Sequence, residues 1–184
     1  MAKVTGFGLA TLIIVLWGAA YFVYAGNMGG DVAASDYPLP ASDLPTLESQ
    51  QSEPALNTNA SNQPSFPDTP FLLNFWASWC VTCQTENKFL HAISGEVPIV
   101  GIALKDSPES AARWLEKFGS PFDLSLIDAE GHYAEELGVQ GAPETFLVDG
   151  HGNVRFHYQG LLQETVWEQR VQPLLDSLRA SSDH

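Results

Sequence analysis

The sequence predicts an α/β fold, a three-layer sandwich of one sheet between helices, and three observations carry that prediction. From residue 70 onward, short apolar runs of strand length alternate with segments of helical periodicity. The alternation closes on a hairpin signal, Asp149-Gly150-His151-Gly152-Asn153, followed by an amphipathic helix. The first apolar run, Phe71-Leu72-Leu73-Asn74-Phe75-Trp76, leads almost directly into Cys80-Val81-Thr82-Cys83 at the start of a helical pattern.

The chain has 184 residues, room for one ordinary domain with appendages. The first appendage is apolar: residues 4–25 contain no charged side chain, and residues 12–17 are continuously hydrophobic. A helix of about 22 residues rises roughly 33 Å, enough to cross a bilayer. Lys3 precedes the segment, and Trp17, Tyr21 and Tyr24 cluster toward its far end. This pattern predicts a single-pass anchor over residues 1–25 with the N-terminus cytoplasmic and the remainder exported. A cleaved signal peptide ending at Val23-Tyr24-Ala25 is the competing reading; the long apolar stretch and single lysine favour an anchor.

Residues 26–42 carry Gly29, Gly30, Pro38 and Pro40 and few large apolar groups, which reads as a flexible tether to a domain over residues 43–184. Within that domain residues 44–47 read as an edge segment, and residues 48–69 as a turn-rich connection. The strand Phe71–Trp76 is followed by a helix over 82–93 and a second strand over 97–104. Ser107-Pro108-Glu109 is a helix start, with Ser107 as N-cap and proline in the first turn. That helix carries Ala112, Trp114, Leu115 and Phe118 and stops at Gly119. A strand over 124–127, a short helix over 130–137, and strands over 145–148 and 154–158 complete the sheet. The closing helix, residues 166–178, is built on Val166, Trp167, Val171, Leu174, Leu175 and Leu178, with Pro173 as a site for a kink.

Cys80 and Cys83 are the chain's two cysteines, so any thiol chemistry belongs to them. The first turn of a helix offers unpaired N–H groups and the positive end of the helix dipole, and both favour a thiolate. Two intervening residues place the second sulfur one turn later, within reach of a disulfide. A purely structural bridge is the alternative, but so short a loop stabilises little. A zinc site would need a second pair of ligands at short spacing; His91, His132, His151, His157 and His184 are scattered and read as ordinary polar histidines. No metal and no cofactor beyond the cysteine pair is expected. The formal charge of −14 argues against nucleic acid as a partner and reads as a solubilising surface or a lure for a basic polypeptide.

A strand feeding Trp79-Cys80-Val81-Thr82-Cys83 resembles thioredoxin over residues 44–178. The segment Gly141-Ala142-Pro143-Glu144-Thr145, with Asn74-Phe75-Trp76-Ala77-Ser78-Trp79-Cys80 and Trp167 in the last helix, is similar to the DsbE/CcmG family. These are membrane-tethered thiol:disulfide oxidoreductases of cytochrome c maturation. The resemblance implies a thioredoxin-like fold in which Pro143 is a cis proline facing the cysteines and Ala142 pairs its backbone with substrate. Cys80 is then the nucleophile, Cys83 the resolving thiol and Trp79 part of the substrate surface. Thioredoxin keeps a buried aspartate beneath its active site where this chain has Asn74. Glu86, one helical turn beyond Cys83, and Glu144, beside the proline, are therefore the candidates to accept the Cys83 proton. Val81-Thr82 departs from the proline-containing dipeptides common in the family.

The resemblance also implies a periplasmic reductant whose partners are apocytochrome c, through its haem-binding Cys-x-x-Cys, or maturation proteins holding it. The implied electron donor is a membrane thiol transporter of the DsbD/CcdA kind, and the implied location the bacterial inner membrane. A general exported disulfide oxidase and a non-enzymatic apocytochrome assembly module are the rival functions, since direction depends on potential.

Overall fold

The structure is a computed structural model that describes residues 31–32, 36–47 and 65–182. The anchor expected over residues 1–25 lies outside them. Among the described residues no helix is long and apolar enough to cross a membrane.

Seven strands form one mixed sheet: β1 (Asp31–Val32), β2 (Tyr37–Pro38), β3 (Phe71–Trp76), β4 (Ile99–Leu104), β5 (Leu124–Asp128), β6 (Glu144–Val148) and β7 (Asn153–Gln159). The order is β1-β7-β6-β3-β4-β5, with β2 also on β7. Strands β3, β4 and β5 run parallel, and β6 and β7 are antiparallel. Central position explains composition: every residue of β3 and β4 is buried, which only strands covered on both faces permit.

The helices are α1 (Val81–Ile93), α2 (Pro108–Phe118), α3 (His132–Leu137), α4 (Glu164–Val166) and α5 (Gln172–Ser182), the last two joined by a π turn, Trp167–Val171. The crossovers β3-α1-β4 and β4-α2-β5 step the same way across the sheet, and right-handed connections therefore place α1 and α2 on one face. On that face Leu72, Ile99 and Leu147 pack with Leu90 and Ile93 of α1 and with Trp167, Leu175 and Leu178 of the closing helix. On the other face, Phe71, Phe75, Ile102 and Phe146 pack with Tyr133 and Leu137 of α3. Three layers result, as the alternation of elements predicts.

Boundaries shift where one residue overrides periodicity. Pro98 has no N–H for a ladder, and β4 starts at Ile99. Gly131 has φ +79° and α3 begins after it, two residues later than expected. Pro173 leaves a gap in the closing helix, and the preceding π turn, where the Gln172 N–H donates to the Trp167 carbonyl, absorbs it. At Gly101 a Cβ would meet the Phe122 ring at 2.6 Å, so glycine there lets Phe122 stack on Trp76 at 5.5 Å.

The tether expected over residues 26–42 needs correction at its C-terminal end. Tyr37–Pro38 and Asp31–Val32 pair with β7, and the Leu39 N–H donates to the Gly152 carbonyl at 2.8 Å. Tyr37 and Leu39 pack on the core, and Asp36 pairs with Arg155 at 2.9 Å. The outer edge of β7 would otherwise be bare, and an edge strand tolerates Pro38. Residues 44–47 do line an edge: Thr46 bridges Leu126 on β5.

Candidate active site

Strand β3 ends at Trp76, and the turn 77–80 lifts the chain into α1. Two contacts fix this turn from the β4–α2 loop. Asp106 accepts from the Ser78 N–H at 2.6 Å and from its hydroxyl at 2.9 Å. Trp79 Nε1 donates to the Lys105 carbonyl at 3.2 Å, and Lys105 holds a left-handed φ of 47°, uncommon for a side-chain-bearing residue. Trp79 is 56% exposed and Val81 81%, so an aromatic and an aliphatic side chain flank the cysteines in solvent.

Cys80 and Cys83 are joined by a disulfide with Cα atoms 5.3 Å apart. Cys80 is the N-cap of α1, and its Sγ accepts the Cys83 N–H at 3.0 Å. A sulfur thus occupies the place where helices prefer an oxygen, and a thiolate at that atom gains the helix's free donors. Cys80 is 7% exposed and Cys83 2%, so the first sulfur is the more accessible. The Ala142–Pro143 peptide bond is cis, and Cys80 Sγ lies 3.5 Å from the Ala142 carbonyl oxygen. Sheet order explains the meeting, because β6, which Pro143 precedes, is the direct neighbour of β3, which the cysteines follow.

Beneath the cysteines lies a buried polar cluster. Glu86 is on the buried side of α1 with Cys83 and Asn87. Its carboxylate accepts the Leu162 N–H at 2.7 Å and Asn74 Nδ2 at 3.0 Å. Asn74 also donates to the Thr145 hydroxyl at 2.9 Å, while its Oδ1 is buried without a partner. Burial outweighs these two donors and pushes the Glu86 carboxyl from its ordinary 4.5 up to about 7.

The second candidate acid is placed differently. Strand alternation sends Glu144 to the face of Phe146, opposite Thr145 and Asn74. Its carboxylate accepts the amides of Gln140 at 2.7 Å and Gly141 at 2.9 Å, and meets His157 Nε2 at 2.7 Å. The imidazole stacks on Phe146 at 4.0 Å. The structure therefore does not group Glu144 with Glu86 beneath Cys83. Glu144 ties down the chain that enters the proline loop, because backbone donors and a buried ring claim its oxygens.

Sequence reasoning missed His157 and Asp106. His157 is buried in β7 and finds its partner, Glu144, on the adjacent strand, a pairing that the local sequence does not display. Asp106 is equally unmarked, since Ser78, the partner that matters to the turn, lies 28 residues away. Among the described residues no group of three or more His, Cys, Asp or Glu is arranged to hold a metal ion.

The Redoxin family model matches residues 39–171. The chain is 45% identical over 106 residues to the thiol:disulfide interchange protein DsbE of Escherichia coli, a match spanning 57% of this chain and 57% of that relative. It is 33% identical over 181 residues to a DsbE of Pasteurella multocida, spanning 97% and 98% of the two chains. A solved structure described as a DsbE from Chlorobium tepidum superposes with a TM-score of 0.56 at 20% identity, covering 79% of this chain and 96% of that one. At that identity the last likeness concerns the fold alone.

Proposed function

This chain belongs to the Redoxin family and, within it, to the DsbE thiol:disulfide interchange proteins, and we propose that it works as a reductant in cytochrome c maturation through Cys80 and Cys83. One observation carries the reading: the Cys80 sulfur caps α1 and stands beside the Ala142 carbonyl, so nucleophile and substrate-pairing backbone meet at one point.

The exchange follows from that placement. In the dithiol form the Cys80 thiolate is stabilised by the Cys83 N–H and the helix end. It attacks one sulfur of a substrate disulfide held against Ala142 and Pro143, with Trp79 as a neighbouring contact. A mixed disulfide forms and the first substrate thiolate leaves. Cys83 then loses its proton to Glu86, whose carboxyl titrates near neutrality and is matched to that task. The Cys83 thiolate attacks Cys80, the second substrate thiolate departs, and two electrons have passed to the substrate. The Cys80–Cys83 disulfide remains for a donor to reduce.

The substrate on this reading is the haem-binding Cys-x-x-Cys disulfide of apocytochrome c or a maturation partner holding it. The donor is a membrane thiol transporter of the DsbD/CcdA kind. Residues 1–25 anchor the protein in the bacterial inner membrane with the thioredoxin-like domain in the periplasm. The 4–25 stretch without charge and the DsbE kinship support this location.

Equilibration of the full chain with glutathione or a reference thioredoxin measures the Cys80–Cys83 potential. A reductant is expected well below −200 mV, roughly, and a value near the about −120 mV of DsbA overturns the reading. Cys83→Ser is expected to accumulate a mixed disulfide between Cys80 and an oxidised Cys-x-x-Cys peptide of apocytochrome type. Absence of that adduct removes the proposed substrate class.

A further inference from the structure

The surface beside the nucleophile reverses the sign of the molecule. The chain carries 22 acidic against 8 Lys and Arg residues. A cleft of about 400 Å³ nevertheless opens beside Cys80 with two cations in its wall: Cys80, Val81 and Gln84 form one side, Ser110, Arg113 and Lys117 of α2 the other. Both cations are exposed. Arg113 donates to the Ser110 hydroxyl at 3.2 Å, Lys117 lies 4.9 Å from the centre of the Phe118 ring, and among the described residues neither forms an ion pair. By contrast Arg155 and Arg179 are each matched with aspartates.

Acidic groups are absent from the lining. The first turn of α1 holds none, Glu109 and Glu116 of α2 do not line the cleft, and the nearby Asp106 is committed to Ser78 and Ser107. The wall is also held in place. Asn87 of α1 donates to the Phe118 and Gly119 carbonyls at 3.1 and 3.4 Å, and Trp114 packs on Trp76 at 4.8 Å.

Position relative to the nucleophile gives the cleft its use. Pro143 leads into β6 on one flank of β3, whereas α2 crosses from β4 to β5 on the other flank. Cys80 stands between them. A polypeptide whose backbone lies on Ala142 as its disulfide meets Cys80 will carry its next residues toward the cleft. Resting on the thiol:disulfide exchange read above, the geometry points to a specificity subsite formed by Ser110, Arg113 and Lys117, which accepts carboxylate side chains flanking the substrate cysteine. The preferred partner segment is therefore acidic on one side of its disulfide, although the protein as a whole is strongly acidic.

The test compares two synthetic peptides with the same intramolecular disulfide, one flanked by glutamates and one by lysines. Each is reduced by the dithiol form of the full chain, and the ratio of second-order rates is read within each variant. The unmodified chain is expected to favour the glutamate peptide about tenfold at low ionic strength, and the ratio is expected to approach unity in molar salt. Arg113→Glu/Lys117→Glu is expected to invert the ratio and Arg113→Gln/Lys117→Gln to abolish it. If charge reversal prevents folding, the glutamine variant and the salt series carry the test. Equal rates for the two peptides, or a ratio unchanged in both variants, overturn the subsite. Failure to reduce either peptide overturns the exchange reading itself.

Discussion

Glu86 and Glu144 are equally hidden, at 1% and 3% exposure, yet their surroundings differ in kind. Glu86 shares its face of the sheet with Cys83 and receives two donors, one of them an amide whose own oxygen is unsatisfied. Glu144 lies on the opposite face and meets two backbone amides and an imidazole. The first carboxyl is pushed up to about 7 and is ready to exchange a proton at neutral pH. The second works as a clamp on the segment that enters the proline loop. The two carboxyls share the same depth of burial and differ in the donors that surround them.

The most damaging way to break this contrast is to remove the clamp. Glu144→Ala strands two amides and a buried histidine, and denaturant unfolding should register a loss of roughly 3 kcal/mol. A loss below about 1 kcal/mol would mean the clamp is dispensable.

Glu86 should instead show itself through pH. Folded, it keeps its proton up to about pH 7, whereas unfolded it releases it near 4.5. Between those values the folded chain binds more protons, so raising pH removes stability, by about 3 kcal/mol at about 1.4 kcal/mol per pH unit. That loss is complete by about pH 8, and Glu86→Gln should lack this component. Matched pH slopes in the two proteins would contradict the assignment.

In exchange kinetics, Glu86→Gln should slow release of the mixed disulfide by about 10- to 100-fold near pH 7 and abolish its dependence on a group titrating near 7. The variant should fold, because Asn74 can turn its unpartnered oxygen toward the new amide. The smallest change is Asn74→Ala, which takes one donor from Glu86. Its pKa should move further up, by an amount equivalent to about 1 kcal/mol, readable in a carboxyl NMR titration.

Legibility in the sequence followed the range of the interactions. Strand β3, helix α1 and the 149–153 hairpin turn lie within a residue of where apolar runs and turn chemistry put them. Their causes are local: a buried run, a capping sulfur and the Asp149 carboxylate that gathers the amides of His151 and Asn153. His157 was opaque because its partner sits on a different strand. Tyr37–Pro38 was opaque because turn-forming composition hides a segment that pairs only when β7 offers an edge. The placement of Glu144 was opaque for the same reason, since adjacency to Pro143 in sequence says nothing about its partners Gln140, Gly141 and His157.

By itself the sequence determined the α/β alternation and the sulfur pair at a helix start, because apolar period, capping and turn preferences act over a few residues. Only the tertiary structure decided that Glu86 and not Glu144 lies with Asn74 below Cys83, and that Arg113 and Lys117 stand beside Cys80. Those relations join elements distant along the chain, and strand order, face and crossover handedness fix them.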